Sequence, residues 1–405
     1  MARDPGARPR LLVLGAGPAQ LGLLEAARAR RDLDVIAVDR DPSAPGFPLA
    51  DERAVLSSED EEGIDRLARA RRVDGIVSPG ADWPVGIAAR VAERIGLPHP
   101  IDARTGAVAT SKARQREAFA EAGVPHAPAV DPREPDVGFP VVVKAPDRQG
   151  QRGLALVRSP EELEQALAAA RAESRSGAVL VERLAEGPEL TVNAFSLEGR
   201  FSPLTVTDRV TADPPAFGVA LAHVWPSVHE TDAVVEAARA AVEAVGIRNG
   251  PSYTQVRLGA EGAVVMEVAA RLGGGHDAEL CEAGTGIDLN GLAIRAALGE
   301  AASDADMAAC QARSHVRAGH GAAVAFLVPP VGALVAVEGV EEAQDLDGVR
   351  WVRVYRRPGH VFGPLRRGAD RAGAVLATGS SRDEALERAR RAADAVRFRI
   401  DADAP

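Results

Sequence analysis

The chain predicts a mixed α/β and α+β protein of several domains. Three observations carry this. Short apolar runs alternate with helical segments over residues 10–98, the pattern of a parallel sheet. A proline-rich stretch from Pro125 to Pro140 then reads as a linker. The second half is rich in strands, with a hairpin joined around Gly259–Gly262. At 405 residues the chain allows about two to four domains.

The elements follow in order. Leu11–Leu14 reads as a buried strand, followed by a glycine turn and a helix over Ala19–Arg31. Val35–Val38 is a second strand ending at Asp39, and Ala54–Leu56 a short third. A helix spans Glu61–Ala70, Gly75–Ser78 is a fourth strand, and a further helix runs through Arg94. Ser111 is a good N-cap for a helix over Lys112–Ala122. Val141–Val143 is a strand that ends at Lys144, and the polar loop Asp147–Gly153 leads to a strand at Leu154–Val157. Ser159-Pro160-Glu161-Glu162 opens a helix to Ala172, with proline and acids in its first turn. Strands are expected at Ala178–Val181, Leu190–Ser196, Leu204–Val210 and Ala220–Trp225. Asp232–Val245 has the apolar spacing of an amphipathic helix. The hairpin Tyr253–Leu258 and Ala263–Val268 precedes a helix at Leu289–Leu298. A loose stretch is expected over 301–314, then strands including Ala323–Val328, Val352–Tyr355 and Ala374–Thr378, and a closing helix from Ser381 to Val396.

Composition excludes several classes. Hydrophobic residues make up 46% and charged residues 26%, an ordinary globular balance. A formal net charge of −10 without a basic stripe argues against a nucleic-acid partner. No apolar run approaches the roughly 18 residues of a membrane span. Met1 to Arg10 lacks the pattern of a signal peptide. Cys281 and Cys310 have no metal-site spacing and fit a reducing, cytoplasmic setting. Of 48 basic residues only two are lysine, Lys112 and Lys144. An ammonium and a guanidinium are not interchangeable, so lysines kept in an arginine background draw attention to their chemistry.

Several positions carry recognisable chemistry. Gly15-Ala16-Gly17-Pro18-Ala19-Gln20, with Asp39 ending the next strand, looks like a dinucleotide loop, but Gln20 breaks the glycine pattern and Pro18 removes a donor. Lys144 beside the loop through Gly150 and Gly153 suits a polyphosphate. Glu182 and Glu189 flank a hinge where one acid can accept from an adenine amino group and the other from ribose hydroxyls. Gln255 and Glu267 lie on paired strands and can aim two oxygens at a magnesium ion. Arg271 lies beyond them and can face developing phosphoryl charge, and Gly273–Gly275 can form an anion nest. Candidate substrate contacts are Gly15, Gly17, Gln20, His223, Gly274 and His276.

The order of these blocks resembles the ATP-grasp superfamily of carboxylate–amine ligases over residues 10–400, and most resembles its L-amino-acid ligase (dipeptide synthetase) branch and that branch's purine-biosynthesis relatives. The blocks are Lys112 at a helix start; Phe139-Pro140-Val141-Val142-Val143-Lys144; Val181-Glu182-Arg183-Leu184-Ala185-Glu186-Gly187-Pro188-Glu189; and Val265-Met266-Glu267-Val268-Ala269-Ala270-Arg271. The resemblance implies an ATP-grasp fold: an N-terminal Rossmann-like (pre-ATP-grasp) domain over 1–108, a linker helix and lid subdomain over 109–185, a central ATP-grasp domain over 186–300 and a C-terminal α+β subdomain over 301–405. It implies that Lys112 and Lys144 bind nucleotide and that Gly150 to Gly153 form the lid loop. Glu182 with the backbone of Arg183 and Ala185 would hold adenine, and Glu189 ribose. Gln255 and Glu267 would hold Mg²⁺ or Mn²⁺, and Arg271, with Lys144, would act on the acyl phosphate.

Two positions depart from the pattern. The first metal position is usually acidic and here is Gln255, and the third is usually asparagine and here is Ala269. The implied activity is ATP-dependent amide formation through an acyl phosphate, between a small-molecule carboxylate and an amine, with a homodimer as one oligomeric state by analogy. The alternatives are a purine-type nucleotide ligase, a non-catalytic ATP-binding protein resting on Gln255 and Ala269, and an NAD oxidoreductase resting on Gly15, Gly17 and Asp39.

Overall fold

The computed structural model describes residues 8–134, 138–301 and 320–401. The loose stretch expected over 301–314 lies, apart from Ala301, outside the described residues, as does Cys310. The first unit is the expected parallel sheet. Strands β1 (Arg10–Leu14), β2 (Asp34–Asp39), β3 (Glu52–Val55) and β4 (Gly75–Val77) stand in the order β3-β2-β1-β4. Helices α1 (Leu21–Ala29), α2 (Glu61–Arg71) and α3 (Asp82–Ile95) alternate with them. Leu11 to Leu14 are all fully buried, which explains the unbroken apolar run: a parallel strand is covered on both faces.

Helix α4 (Ala103–Ala109), capped by Asp102, precedes α5 (Lys112–Ala122), whose start at Lys112 matches expectation. The short α4 escaped the sequence reading because seven residues give too little periodicity to see. A three-stranded antiparallel sheet follows, in the order β6-β5-β7, from β5 (Val141–Lys144), β6 (Ala155–Val157) and β7 (Leu180–Arg183). Helix α6 (Pro160–Glu173) packs on it through Leu163, Ala166 and Ala170.

The largest sheet has eight strands. Its described members here are β8 (Glu189–Leu197), β9 (Arg200–Thr211), β10 (Ala220–Trp225), β11 (Gly250–Gly259) and β12 (Gly262–Ala269), joined by β13 (Gly321–Leu327), β15 (Val349–Val354) and β17 (Gly373–Gly379). One face is apolar: Leu190, Val192, Val256 and Val265 pack against α7 (Asp232–Val245). Helices α8 (Asp277–Thr285) and α9 (Leu289–Ala297) connect this sheet back to the first unit, where Leu292 and Ile294 share a core with Leu23 and Leu24. A small sheet, β16-β14-β18, completes the C-terminal part with β14 (Gly332–Glu338), β16 (Val361–Phe362) and β18 (Arg397–Asp401), alongside α10 (Val340–Gln344) and α11 (Arg382–Ala395). No helix among the described residues is long and apolar enough to cross a membrane.

Candidate active site

The polar face of the large sheet is set by register. Side chains directly opposite on antiparallel strands share a face. Glu189 pairs with Arg209 and Arg257, Thr191 with Thr207 and Gln255, and Gln255 with Glu267. His223 stands opposite Arg209. This one face therefore carries Glu189, Arg209, His223, Gln255, Arg257 and Glu267, while the intervening residues build the apolar core beneath. A bulge follows Gln255, so that Met266 is the extra residue beside Glu267.

A cavity of about 740 Å³ lies between this face and the β6-β5-β7 sheet. Lys112, Lys144, Gly150, Ala185, Glu189, Gln255 and Glu267 line it, with the apolar Val142, Leu154, Leu184 and Met266. Seven predicted positions thus meet in one cleft. Gly153 lies around the corner, in a neighbouring cavity against the C-terminal part. Lys112 Nζ reaches Glu267 Oε2 at 2.7 Å and donates to the Arg148 carbonyl at 2.8 Å. Burial works to raise the Glu267 carboxyl, but Lys112 and Arg271 overcome it and hold the group at about 2. Burial pulls the Lys144 ammonium down to about 8, although its partner Glu182 pulls the other way.

Glu182, expected to accept from an adenine amino group, has a fully buried carboxylate engaged by Lys144 and by Arg116 Nε, the latter at 2.5 Å. The Arg183 backbone N–H donates to Pro128 O at 3.0 Å and its guanidinium to the Gly138 carbonyl. Leu184 and Ala185 line the cleft wall at the hinge. Gly187, at φ +96°, lets the hinge pass close to the hairpin, since a Cβ there would lie 2.2 Å from the Leu258 carbonyl oxygen. Glu189 is held by Arg209 and, at 3.3 Å, by Arg257.

Arg271 is buried, and its Nε and Nη2 both approach Asp82 Oδ1 at 2.5 Å. Its Nη1 donates to the Leu272 carbonyl at 2.7 Å. Asp82 opens α3 of the first unit, so this pair joins two parts of the fold. A second cavity of about 600 Å³ lies here, lined by Asp82, Trp83, Lys112, Arg148, Gln149 and Glu267 among others.

The remaining candidates line neither of these two cavities. Asp39 accepts from the N–H groups of Ala16 (2.9 Å) and Asp41 (3.0 Å), one on each carboxylate oxygen. Gln20 is buried over the loop, with its Cδ 3.0 Å from where a Gly15 Cβ would be and its Oε1 3.2 Å from that of Gly17. His276 Nδ1 meets Glu279 at 2.9 Å and Nε2 meets the Tyr355 hydroxyl at 2.5 Å, so both ring nitrogens are engaged. His223 is buried with Nδ1 2.9 Å from Asp277 Oδ1, and its ring fills the space beside Gly275. Gly274 packs near the Gly80 carbonyl.

Three residues of the site were not foreseen. Gln115 clamps the end of β12, accepting from Val268 N at 3.1 Å and donating to Val268 O at 2.9 Å. Arg116 secures Glu182 and also donates to Met266 O at 2.8 Å. Asp82 holds Arg271. Each acts across a long sequence separation, and no local motif marks it.

Gln255 and Glu267 offer one amide oxygen and one carboxylate to a cation. Among the described residues no group of three or more acidic, histidine or cysteine side chains forms a metal cluster. This donor set fits Mg²⁺, which commonly takes one or two carboxylates and completes its shell with water and phosphate oxygens.

The architecture, a lid sheet closing on a large antiparallel sheet with a parallel unit in front, defines an ATP-grasp protein. Comparison with known proteins agrees: residues 137–279 match the ATP-grasp domain family, and residues 325–401 match the L-amino acid ligase C-terminal domain 2. The formate-dependent phosphoribosylglycinamide formyltransferase of Burkholderia thailandensis is 30% identical over 413 residues, covering 96% of this chain and 95% of that protein. An uncharacterized protein of Sinorhizobium fredii is 27% identical, covering 93% of this chain and 80% of that one. The crystal structure of L-amino acid ligase from Bacillus licheniformis superposes with a TM-score of 0.82 at 20% identity, covering 98% of this chain and 100% of that one. That of phosphoribosylglycinamide synthetase from Anaerococcus prevotii gives 0.77 at 18% identity, covering 97% and 100%. The chain belongs to the ATP-grasp superfamily of carboxylate–amine ligases.

Proposed function

We propose that this protein joins an amino acid carboxylate to an amine, with ATP as the energy source and an acyl phosphate as the intermediate. The observation that carries the reading is the meeting of Lys112, Lys144, Glu189, Gln255 and Glu267 in one cleft beneath the loop that contains Gly150. ATP would lie there, its base against Leu184 and Ala185, its ribose at Glu189 and its phosphates at Lys112 and Lys144. The substrate carboxylate attacks the γ-phosphorus, the bond to the β-phosphate oxygen breaks, and ADP leaves. The amine then attacks the acyl carbon, phosphate departs with the bonding pair, and the amine proton passes to solvent or phosphate. Gln255 and Glu267 would hold Mg²⁺ in the cleft, which supplies charge neutralisation to the phosphates. The chain's own part is positioning and electrostatics: two ammonium groups, the Arg271 guanidinium, and a loop that excludes water from the reactive acyl phosphate.

The amino acid reading is supported by the match of residues 325–401 to the L-amino acid ligase C-terminal domain. A purine-type nucleotide ligase is the second reading, favoured by the 30% identity to the Burkholderia enzyme. Against it stands the glycine loop of the first unit. Two of its N–H groups are spent, Gly15 on Val38 O at 2.8 Å and Ala16 on Asp39, and Gln20 covers it, which leaves a poor cradle for a substrate phosphate.

The test is ADP release from Mg²⁺-ATP with amino acids singly and in pairs, against a panel of purine-pathway amines and acids. Release that depends on amino acids and is lost in Lys144→Ala supports the first reading. Release only with the purine panel replaces it with the second, and ATP binding without release on either panel sinks both.

A further inference from the structure

The lid loop touches the first unit at a place where a helix lacks its own cap. Helix α3 begins at Asp82 with Ala81 in the N-cap position, and alanine has no side-chain acceptor for the exposed N–H groups of the first turn. The acceptor comes from the lid loop: Gln149 Oε1 takes the Asp82 backbone N–H. The same residue's carboxylate holds Arg271 through Nε and Nη2. Asp82 thus meets the loop with its backbone and the arginine with its side chain.

The geometry leaves Arg271 with a defined free edge. Guanidinium has five N–H donors. Asp82 Oδ1 takes the Nε donor and the Leu272 carbonyl takes one on Nη1, while Nη2 stands against the same Asp82 oxygen as an ion pair. Nη1 and Nη2 therefore keep donors for an anion. Their direction depends on Asp82 staying in place, and Asp82 sits at a helix start that the lid loop caps. A second lid contact stands beside it. Asp147 accepts from Arg175 N (3.1 Å) and Ser176 N (2.8 Å), shaping a turn that presents Arg175. Arg175 then reaches Glu59 at 2.6 Å and lies 4.4 Å over the Trp83 ring, next to Asp82.

We infer that Asp82 is a positioning residue that couples closure of the 147–153 loop to the aim of the Arg271 guanidinium. It rests on the ligase reading for its kinetic consequence. When Gln149 caps α3, Asp82 is fixed and Arg271 presents its free edge. When the loop lifts, the first turn of α3 loses its cap and the arginine loses its fixed support. The reactive arrangement is then assembled only under a closed lid, which protects an acyl phosphate from water.

The experiment uses the full chain with Asp82→Asn, Gln149→Ala and the double variant. Asp82→Asn keeps the side chain's shape and the backbone N–H but removes the charge that holds Arg271. The expected result is a loss of about 10- to 100-fold in kcat, the scale of a misplacement near 1 Å, with KM for ATP within about 3-fold of the wild type. Gln149→Ala should also lower kcat, and the double variant should lose no more than the larger single loss, because both act through one residue. In parallel, amide hydrogen exchange over 147–153 is measured with Mg²⁺-ADP bound. Faster exchange than wild type is expected in both single variants. Losses that multiply in the double variant, a change confined to KM, or wild-type exchange in Asp82→Asn would each overturn the inference. If the wild type releases no ADP with any substrate the ligase reading fails, and the exchange measurement still decides the coupling.

Discussion

Lys112 Nζ lies 2.7 Å from Glu267 Oε2 and donates at 2.8 Å to the carbonyl of Arg148 in the lid loop. One ammonium group therefore ties the large sheet to the lid. Its removal should affect catalysis more than folding, because both partners stay partly open to solvent. Lys112→Ala is expected to lower kcat for ADP release by about 100-fold, in the range found when a single preorganised donor to developing charge is removed. Steady-state ADP release against matched thermal unfolding checks this, and a Tm drop large enough to account for the loss would refute it.

Lys144 makes a pH prediction. On the proposed function its ammonium form binds the polyphosphate, and burial brings its pKa down to about 8 in the free protein. Below that value the group carries charge, and above it the charge is lost. ATP affinity should weaken as pH rises from about 7 to about 9, by up to tenfold per unit once the group is deprotonated. Calorimetric titration at several pH values reads this directly. Lys144→Ala should bind more weakly and show a flat profile over that window; a wild-type profile equally flat would count against the assignment.

Glu182 is predicted to matter for stability. It is fully buried between Lys144 and Arg116. Removing one member of a buried ionic cluster leaves the others uncompensated and typically costs about 3–5 kcal/mol. Glu182→Ala should shift the urea midpoint strongly downward, while Glu198→Ala, on an exposed turn, should leave it nearly unchanged. Equal midpoints for the two variants would show that the cluster is not a stabilising unit.

Gly187 makes a prediction about nucleotide affinity. A Cβ there would lie 2.2 Å from the Leu258 carbonyl oxygen, at a φ of +96°. Gly187→Ala must push the hinge away from the hairpin, and with it Leu184 and Ala185 of the cleft wall. ATP binding should weaken by roughly tenfold, equivalent to about 1.4 kcal/mol. Fluorescence or calorimetric titration decides it, and unchanged affinity would mean that the hinge tolerates the shift.

Much of the site was legible in the sequence because its signals are local. The two lysines stood out by rarity, the hinge by Gly187-Pro188 between two glutamates, and the hairpin by period-two alternation that set Gln255 opposite Glu267. What was not legible depends on docking. Arg116 lies 66 residues from Glu182 and Asp82 lies 189 from Arg271, so no window of sequence contains either pair. Both look like ordinary charged residues on helices. The same limit hides the partners of Glu182, which are Lys144 on β5 and Arg116 on α5. Helix α8 was missed for a different reason. It begins directly after the glycine run, with His276 at φ +62° as its N-cap, and lacks a recognisable capping side chain.

The scarcity of lysine has a consequence for covalent chemistry. Lys112 and Lys144 are the chain's complete set of side-chain amines, and both line the cleft beneath the loop that contains Gly150. Reagents that acylate amines elsewhere scatter over a protein surface. Here they have two side-chain destinations, both inside the pocket, so an amine-directed label becomes a footprint of the cleft. Protection of those two nitrogens by a bound nucleotide would be visible as the near-complete loss of side-chain labelling in a mass spectrum.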